Sequence, residues 1–142
     1  MSTANRTLIE VAAGIILRNS AHSPPQVLIA KRPANKDQGS LWEFPGGKLE
    51  GQENPAQALA RELEEEIGIK VTNLKLFREI THQYSDKKVK LWFFKVLDFQ
   101  GEPSGMEGQQ IAWVKVDQLS QLDFPAANLK VIESLMEIQR TN

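Results

Sequence analysis

The stretch from Gly46 to Ile69, GGKLEGQENPAQALARELEEEIGI, constrains the fold more than any other part of the chain. A glycine pair opens a polar loop, and the loop runs into a helix whose two ends are written in the residues. Asn54 suits the N-cap, Pro55 the first helical position and Gly68 the position just past the end. At about 100° per residue, Ala56, Leu59, Ala60, Leu63 and Ile67 share one stripe, the face expected to meet a core. Glu62, Glu65 and Glu66 form a second stripe beside it, and Glu64 points to solvent.

Three converging carboxylates at a helix C-terminus are unfavourable on their own. Glu62 and Glu66 are a like-charge i,i+4 pair, costing about 0.2–0.5 kcal/mol. Each acid also opposes the helix dipole by about 0.3–1 kcal/mol. Arg61, four residues before Glu65, offsets part of this. A bound cation would remove the conflict, and an all-oxygen ligand set suits a hard ion, Mg²⁺ or Mn²⁺. Mg²⁺ commonly shares its shell with phosphates, so a phosphate compound is the expected substrate. The plain alternative is a solvated acidic face, the usual fate of a charge run.

Around this segment the chain alternates β-rich runs with loops. Strands are expected at 8–18, 26–32, 71–84, 87–99 and 111–116, with turns at 19–25 and 85–86. Residues 33–41 and 101–110 read as loops, and so does most of EFPGGKLEGQEN. A turn at 123–128 leads to a closing helix ending near 139. Helices inserted among strands predict a mixed-sheet α/β or α+β sandwich. With 142 residues the chain fits one domain, 1–142, with residues 1–7 frayed.

Composition narrows the function. The net charge of −1 provides no field for duplex nucleic acid or anionic membranes. No apolar run is long enough to span a bilayer. The absence of cysteine excludes disulfides, thiolate nucleophiles and cysteine-type zinc sites. It is compatible with a reducing compartment, and a cytoplasmic, monomeric protein is expected.

Gly47, Glu53, Arg61, Glu62, Leu63, Glu65, Glu66, Gly68 and Ile69 match the Nudix box at every position. A chance match in one window is below about 10⁻⁷ at average residue usage. The chain therefore resembles the Nudix hydrolases, which implies an α/β/α sandwich with a mixed central sheet. The resemblance implies that the Gly46 carbonyl, Glu62, Glu65 and Glu66 hold divalent ions. Glycines at 46 and 47 would let that carbonyl approach without a Cβ in the way. Arg61 is expected to bridge Glu53 or Glu65.

Beyond the box, LWEFPGGK, LWFF, GEPSGMEGQ, AWV and DFPAAN follow in an order similar to that of the MutT group of 8-oxo-dGTP pyrophosphohydrolases. That resemblance makes Glu107 a further metal-site acid and Asn128 the residue that reads the base. The plain readings are an ordinary loop carboxylate and an N-cap. Glu62, Glu107 and Arg61 form the implied catalytic group, with Glu62 or Glu107 as general base and water attacking the β-phosphorus. Arg32 and Lys48 are candidates for nucleotide and phosphate contacts. Phe44 packs near the base or in the core. Residues 33–41 match nothing in the group and are expected to help cover the nucleotide. His82 is expected to be a strand residue with a satisfied hydrogen bond, and Trp42, Trp92 and Trp113 to pack at the core or its rim. Two other functions stay open: hydrolysis of CTP or another pyrimidine triphosphate, and nucleotide binding without catalysis.

Overall fold

The structure is a computed structural model and describes residues 7–20, 23–31 and 41–141. Arg32 and nearly all of the 33–41 loop lie outside the described residues, as do residues 1–6.

Strand β1 (Thr7–Ser20) is the axis of the sheet. One edge pairs in parallel with β6 (Lys87–Gln100) from Thr7↔Lys87 to Ile16↔Val96. The other edge pairs antiparallel, first with β4 (Gly46–Lys48) and then with β2 (Ser23–Lys31). β2 carries β3 (Trp42–Glu43) and β7 (Ile111–Lys115), and β5 (Lys70–Gln83) closes the far side against β6. Mixed pairing around β1 is the sheet that the sequence predicts.

Alternation along the central strands sends side chains to two cores. Ala12, Ile16, Leu28, Phe94 and Val96 meet Ala58, Leu59, Leu63 and Ile67 of helix α1 (Pro55–Ile67). Ala13, Ile15, Val27, Ile29 and Phe93 meet Val131, Ile132 and Leu135 of helix α2 (Leu129–Thr141). A helix thus covers each face, giving the α/β/α sandwich. Gly14 brings α1 close, because a Cβ there would stand 3.3 Å from the Leu63 side chain and 3.5 Å from Leu59.

The helix α1 boundaries follow from their caps. Asn54 Oδ1 accepts from the Gln57 amide at 2.8 Å, and Gln57 Oε1 accepts from the Asn54 amide at 2.9 Å. Gly68 ends the helix in the left-handed region, at φ 73°.

Four expectations need correction. Thr7 is not frayed but opens β1 opposite Lys87. The 19–25 turn is shorter than expected, because β1 and β2 stay paired out to Ser20↔Ser23. Pro24 and Pro25 lie at the start of β2, before its ladder with β7 begins at Gln26, so their missing amides cost that ladder nothing. The glycine-rich EFPGGK segment holds β3 and β4, pairings that local propensity cannot reveal. Ala58 is fully buried, while Ala56 and Ala60 are only partly so: the core stripe of α1 is rotated from its expected position.

Candidate active site

The site is built where β4 passes between β1 and the last two turns of α1. Gly46 and Gly47 make this crossing possible. A Cβ on Gly46 would lie 2.0 Å from the Ala12 carbonyl oxygen, and one on Gly47 would lie 2.2 Å from Glu62 Oε2. The pair is thus required by close strand and carboxylate packing, whatever the Gly46 carbonyl also ligates.

Arg61 organises the acids around it. Its Nε and Nη2 meet Glu53 Oε2 and Oε1 at 2.6 and 3.0 Å. Nη2 also donates to the Lys48 carbonyl at 3.1 Å. Nη1 lies 3.2 Å from Glu65 Oε1 and 3.3 Å from Glu62 Oε2. The Arg61 hydrogen bond holds Glu53 below its ordinary carboxylate range, and Glu53 in turn raises Arg61. Glu53 is tied as well to the Glu50 amide at 2.9 Å. The sequence offered Glu53 or Glu65 as partner, and the guanidinium takes both.

Glu66 is 9% exposed. Burial pushes its carboxyl up to about 8, helped by the nearby charges of Glu43, Glu62 and Glu107 and opposed by the Gly46 amide. Burial also raises Glu62, while Arg61 pulls it down. Of the expected stripe of Glu62, Glu65 and Glu66, Glu62 stays near enough for its charge to act on Glu66, and the charge of Glu107 acts there too. Glu65 departs from the stripe: the side chain is 57% exposed and turned to Arg61. Among the described residues no three Asp, Glu or His side chains are gathered tightly enough to hold a metal ion as they stand.

The donor chemistry nevertheless fits a hard cation. Only oxygens are offered, one buried carboxyl is driven towards its neutral form by its neighbours, and the glycine pair keeps the approach clear of side chains. Gly46, Glu66 and Glu107 line one cavity with Glu43, and the Glu62 carboxylate stands against Gly47.

The loop carrying Glu107 is fastened to the end of α1. Ser104 and Met106 donate their amides to the Ile67 and Glu66 carbonyls, both at 3.0 Å. Gln109 Nε2 donates to the Glu66 carbonyl at 3.0 Å, and its Oε1 accepts from the Glu107 amide at 3.0 Å. Glu43 and Gln109 are site residues that sequence reasoning missed. Glu43 stood in the quoted LWEFPGGK run, but only the fold places it on the same cavity as Glu66, near enough for its charge to act there.

Two joined cavities form the cleft. One, about 390 Å³, is lined by Glu43, Gly46, Gly47, Lys48, Glu66 and Glu107. The other, about 320 Å³, shares Glu43, Phe44 and Lys48 and reaches Tyr84, Lys87 and Asn128. A larger open groove of about 530 Å³, along Phe77, Arg78 and Ser134, lies on the α2 face and contains none of the α1 glutamates.

Asn128 is 8% exposed at the far end of the second cavity. Its Nδ2 makes one long bond to the Pro125 carbonyl, at 3.4 Å. Its Oδ1 has no partner among the described residues, so the side chain does not cap α2. Phe44 takes the core role that was one of its two expected places. It packs edge-on to Phe93 and tilted against Phe124, and it lines both cavities. Lys48 is exposed between them. Trp42, Trp92 and Trp113 pack at the core margins. His82 rests on Tyr84 with ring centroids 4.6 Å apart, and among the described residues its side chain makes no hydrogen bond, against expectation.

This arrangement can be set beside known proteins. The NUDIX domain family matches residues 12–134. The chain is a member of the Nudix family. It is 39% identical over 130 residues to the 8-oxo-dGTP diphosphatase of Escherichia coli K12, covering 92% of this chain and 98% of that protein. It is 36% identical over 132 residues to the CTP pyrophosphohydrolase of the same organism, covering 93% and 94%. A solved MutT structure, from work on Aliivibrio salmonicida and Vibrio cholerae, superposes with a TM-score of 0.78 at 43% identity, covering 92% of this chain and 98% of the other. Nudix hydrolases generally need a divalent metal. No helix among the described residues of this Nudix protein is long and apolar enough to cross a membrane.

Proposed function

We propose that the protein is a pyrophosphohydrolase that converts 8-oxo-dGTP and water to 8-oxo-dGMP and pyrophosphate, removing an oxidised nucleotide before it reaches DNA. The observation that carries the substrate assignment is Asn128, a buried amide whose carbonyl has no partner among the described residues, at the opposite end of the cleft from Glu66. 8-Oxoguanine presents O6 as acceptor beside N7–H as donor, whereas guanine presents two acceptors. One amide complements the oxidised edge and leaves a mismatch against the normal one. The 8-oxo-dGTP diphosphatase relative supports the same reading.

Mg²⁺, with Mn²⁺ as a substitute, is the assigned cofactor, and when bound it neutralises the triphosphate and acidifies water. Gly46, Glu62, Glu65, Glu66 and Glu107 hold it. Arg61 keeps Glu53, Glu62 and Glu65 in place, so its role is positioning. Lys48, at the junction of the two cavities, meets the phosphates, and Arg32 is assigned the same task. Phe44 forms part of the wall beside the base. Glu62 or Glu107 takes the proton of the attacking water. The oxygen of that water forms a bond to the β-phosphorus as the bridge to the α-phosphate breaks. The enzyme acts as a cytoplasmic monomer on free nucleotides.

Hydrolysis of CTP is the second reading, favoured by the pyrophosphohydrolase relative. Cytosine also pairs an acceptor, N3, with a donor, N4, so Asn128 alone does not exclude it. A turnover panel of 8-oxo-dGTP, dGTP, CTP and dCTP with Mg²⁺ decides the matter. The highest kcat/KM is expected for 8-oxo-dGTP, and a higher value for CTP overturns the assignment. Run in ¹⁸O-water, the reaction should label pyrophosphate. Label in the monophosphate would place attack at the α-phosphorus.

A further inference from the structure

Met106 occupies an unusual place for a methionine. Its side chain is 60% exposed, yet it covers the end of α1. A Cβ on Gly68 would lie 3.3 Å from its Sδ, 3.4 Å from its Cγ and 3.9 Å from its Cε. Ser104 Oγ donates to the sulfur at 3.3 Å. The Met106 amide donates to the Glu66 carbonyl, and the next residue is Glu107. Met106 is therefore both largely exposed and part of the fastening between the Glu107 loop and the helix that carries Glu62 and Glu66. Among the other methionines, Met136 packs against the core and Met1 lies outside the described residues.

We propose that Met106 is a modification site, oxidised by peroxides to the sulfoxide, and that this oxidation loosens the 101–110 loop and lowers turnover. The thioether sulfur attacks one peroxide oxygen. An S–O bond forms, the O–O bond breaks, the sulfur gives up two electrons, and the second oxygen leaves as water after taking up the protons. The product is larger at sulfur and strongly polar. It no longer fits the close apolar contact over Gly68, and its oxygen draws the Ser104 hydroxyl into a new geometry. Glu107, one residue on, moves with the loop. The effect on turnover rests on the pyrophosphohydrolase reading, in which the substrate is itself a product of oxidation. An oxidant that creates the substrate would then also attenuate the enzyme.

The test treats the full chain and Met106→Leu, a swap of similar volume without sulfur, with hydrogen peroxide. Peptide mass locates the added oxygen, amide hydrogen exchange reports on 101–110, and kcat is read with 8-oxo-dGTP at saturating Mg²⁺. The wild type should gain one oxygen at Met106, exchange faster across 101–110 and lose roughly fivefold in kcat, the scale of coupling between touching residues. Methionine sulfoxide reductase with a thiol reductant should reverse all three, and Met106→Leu should show none of them. Unmodified Met106, or oxidised Met106 with unchanged exchange and kcat, overturns the proposal, as does an equal loss in Met106→Leu. Absence of 8-oxo-dGTP turnover before any peroxide refutes the substrate reading instead. The exchange measurement still decides whether oxidation frees the loop.

Discussion

Arg61 meets Glu53 side-on, with Nε 2.6 Å from Oε2 and Nη2 3.0 Å from Oε1, across eight residues of chain. This contact joins the loop that follows β4 to the middle of α1. It leaves Nη1 free to hold Glu62 and Glu65 at 3.3 and 3.2 Å. The fork shape of the guanidinium, more than its charge, makes both contacts possible at once.

Arg61→Lys keeps the charge and loses the fork. The partly exposed pair contributes little to stability, so Tm should fall only slightly. Turnover should fall far more, by about tenfold or greater, because Glu62 and Glu65 lose their common anchor. Calorimetry and steady-state kinetics on one preparation separate the two effects. Equal, small changes in both would count against a positioning role.

The two adjacent glycines should respond in opposite ways. Gly46→Ala drives its Cβ into the β1 backbone, which cannot yield, and should destabilise the fold by about 1–3 kcal/mol. Gly47→Ala strikes only the end of the Glu62 side chain. It should leave Tm nearly unchanged while turnover drops sharply. Thermal melts of both variants, with activity at saturating Mg²⁺, test this contrast.

Glu66 makes the metal-free protein sensitive to pH. Its folded-state value of about 8 lies above the ordinary 4.5. An acid raised in this way contributes stability that is complete below its unfolded value and is lost as pH rises through the folded one. Metal-free wild type should therefore lose stability progressively between about pH 4.5 and 8. Glu66→Gln should flatten that slope, raise the metal-free Tm at pH 8 by roughly 3–5 °C and nearly abolish turnover. A variant with normal kcat in saturating Mg²⁺ would remove Glu66 from the metal site. Mg²⁺ should stabilise the wild type more at pH 8 than at pH 5, because binding releases the Glu66 proton.

Asn128→Ala removes the amide at the end of the cleft. Losing a matched pair of hydrogen bonds costs about 1–3 kcal/mol, so kcat/KM for 8-oxo-dGTP should fall about tenfold or more. The value for dGTP should change little, shrinking the preference between them. Preserved discrimination in the alanine variant would assign base reading to another residue.

Helix α1 was legible in the sequence almost to the residue, because Asn54, Pro55 and Gly68 act through local backbone chemistry. The box glutamates were legible for a related reason: a fixed helical spacing puts Glu62 and Glu66 one turn apart. The sequence by itself thus determined the helix, its acidic stripe and the chemical class. Tertiary structure alone decided which acid is buried and which others act on it. Glu65 turns out to Arg61, Glu43 shares a cavity with Glu66, and Gln109 ties the Glu107 loop to the helix end. Glycine pairs announce close approach without saying to what, and here the neighbours are the Ala12 carbonyl and the Glu62 carboxylate. Asn128 could be read as a cap or as a base reader; the fold buries it at the cleft end, and its carbonyl has no partner among the described residues. Local propensity extends over a few residues of chain. Charge crowding, burial and register arise from groups distant in sequence, and they acquire definite values only when the sheet assembles.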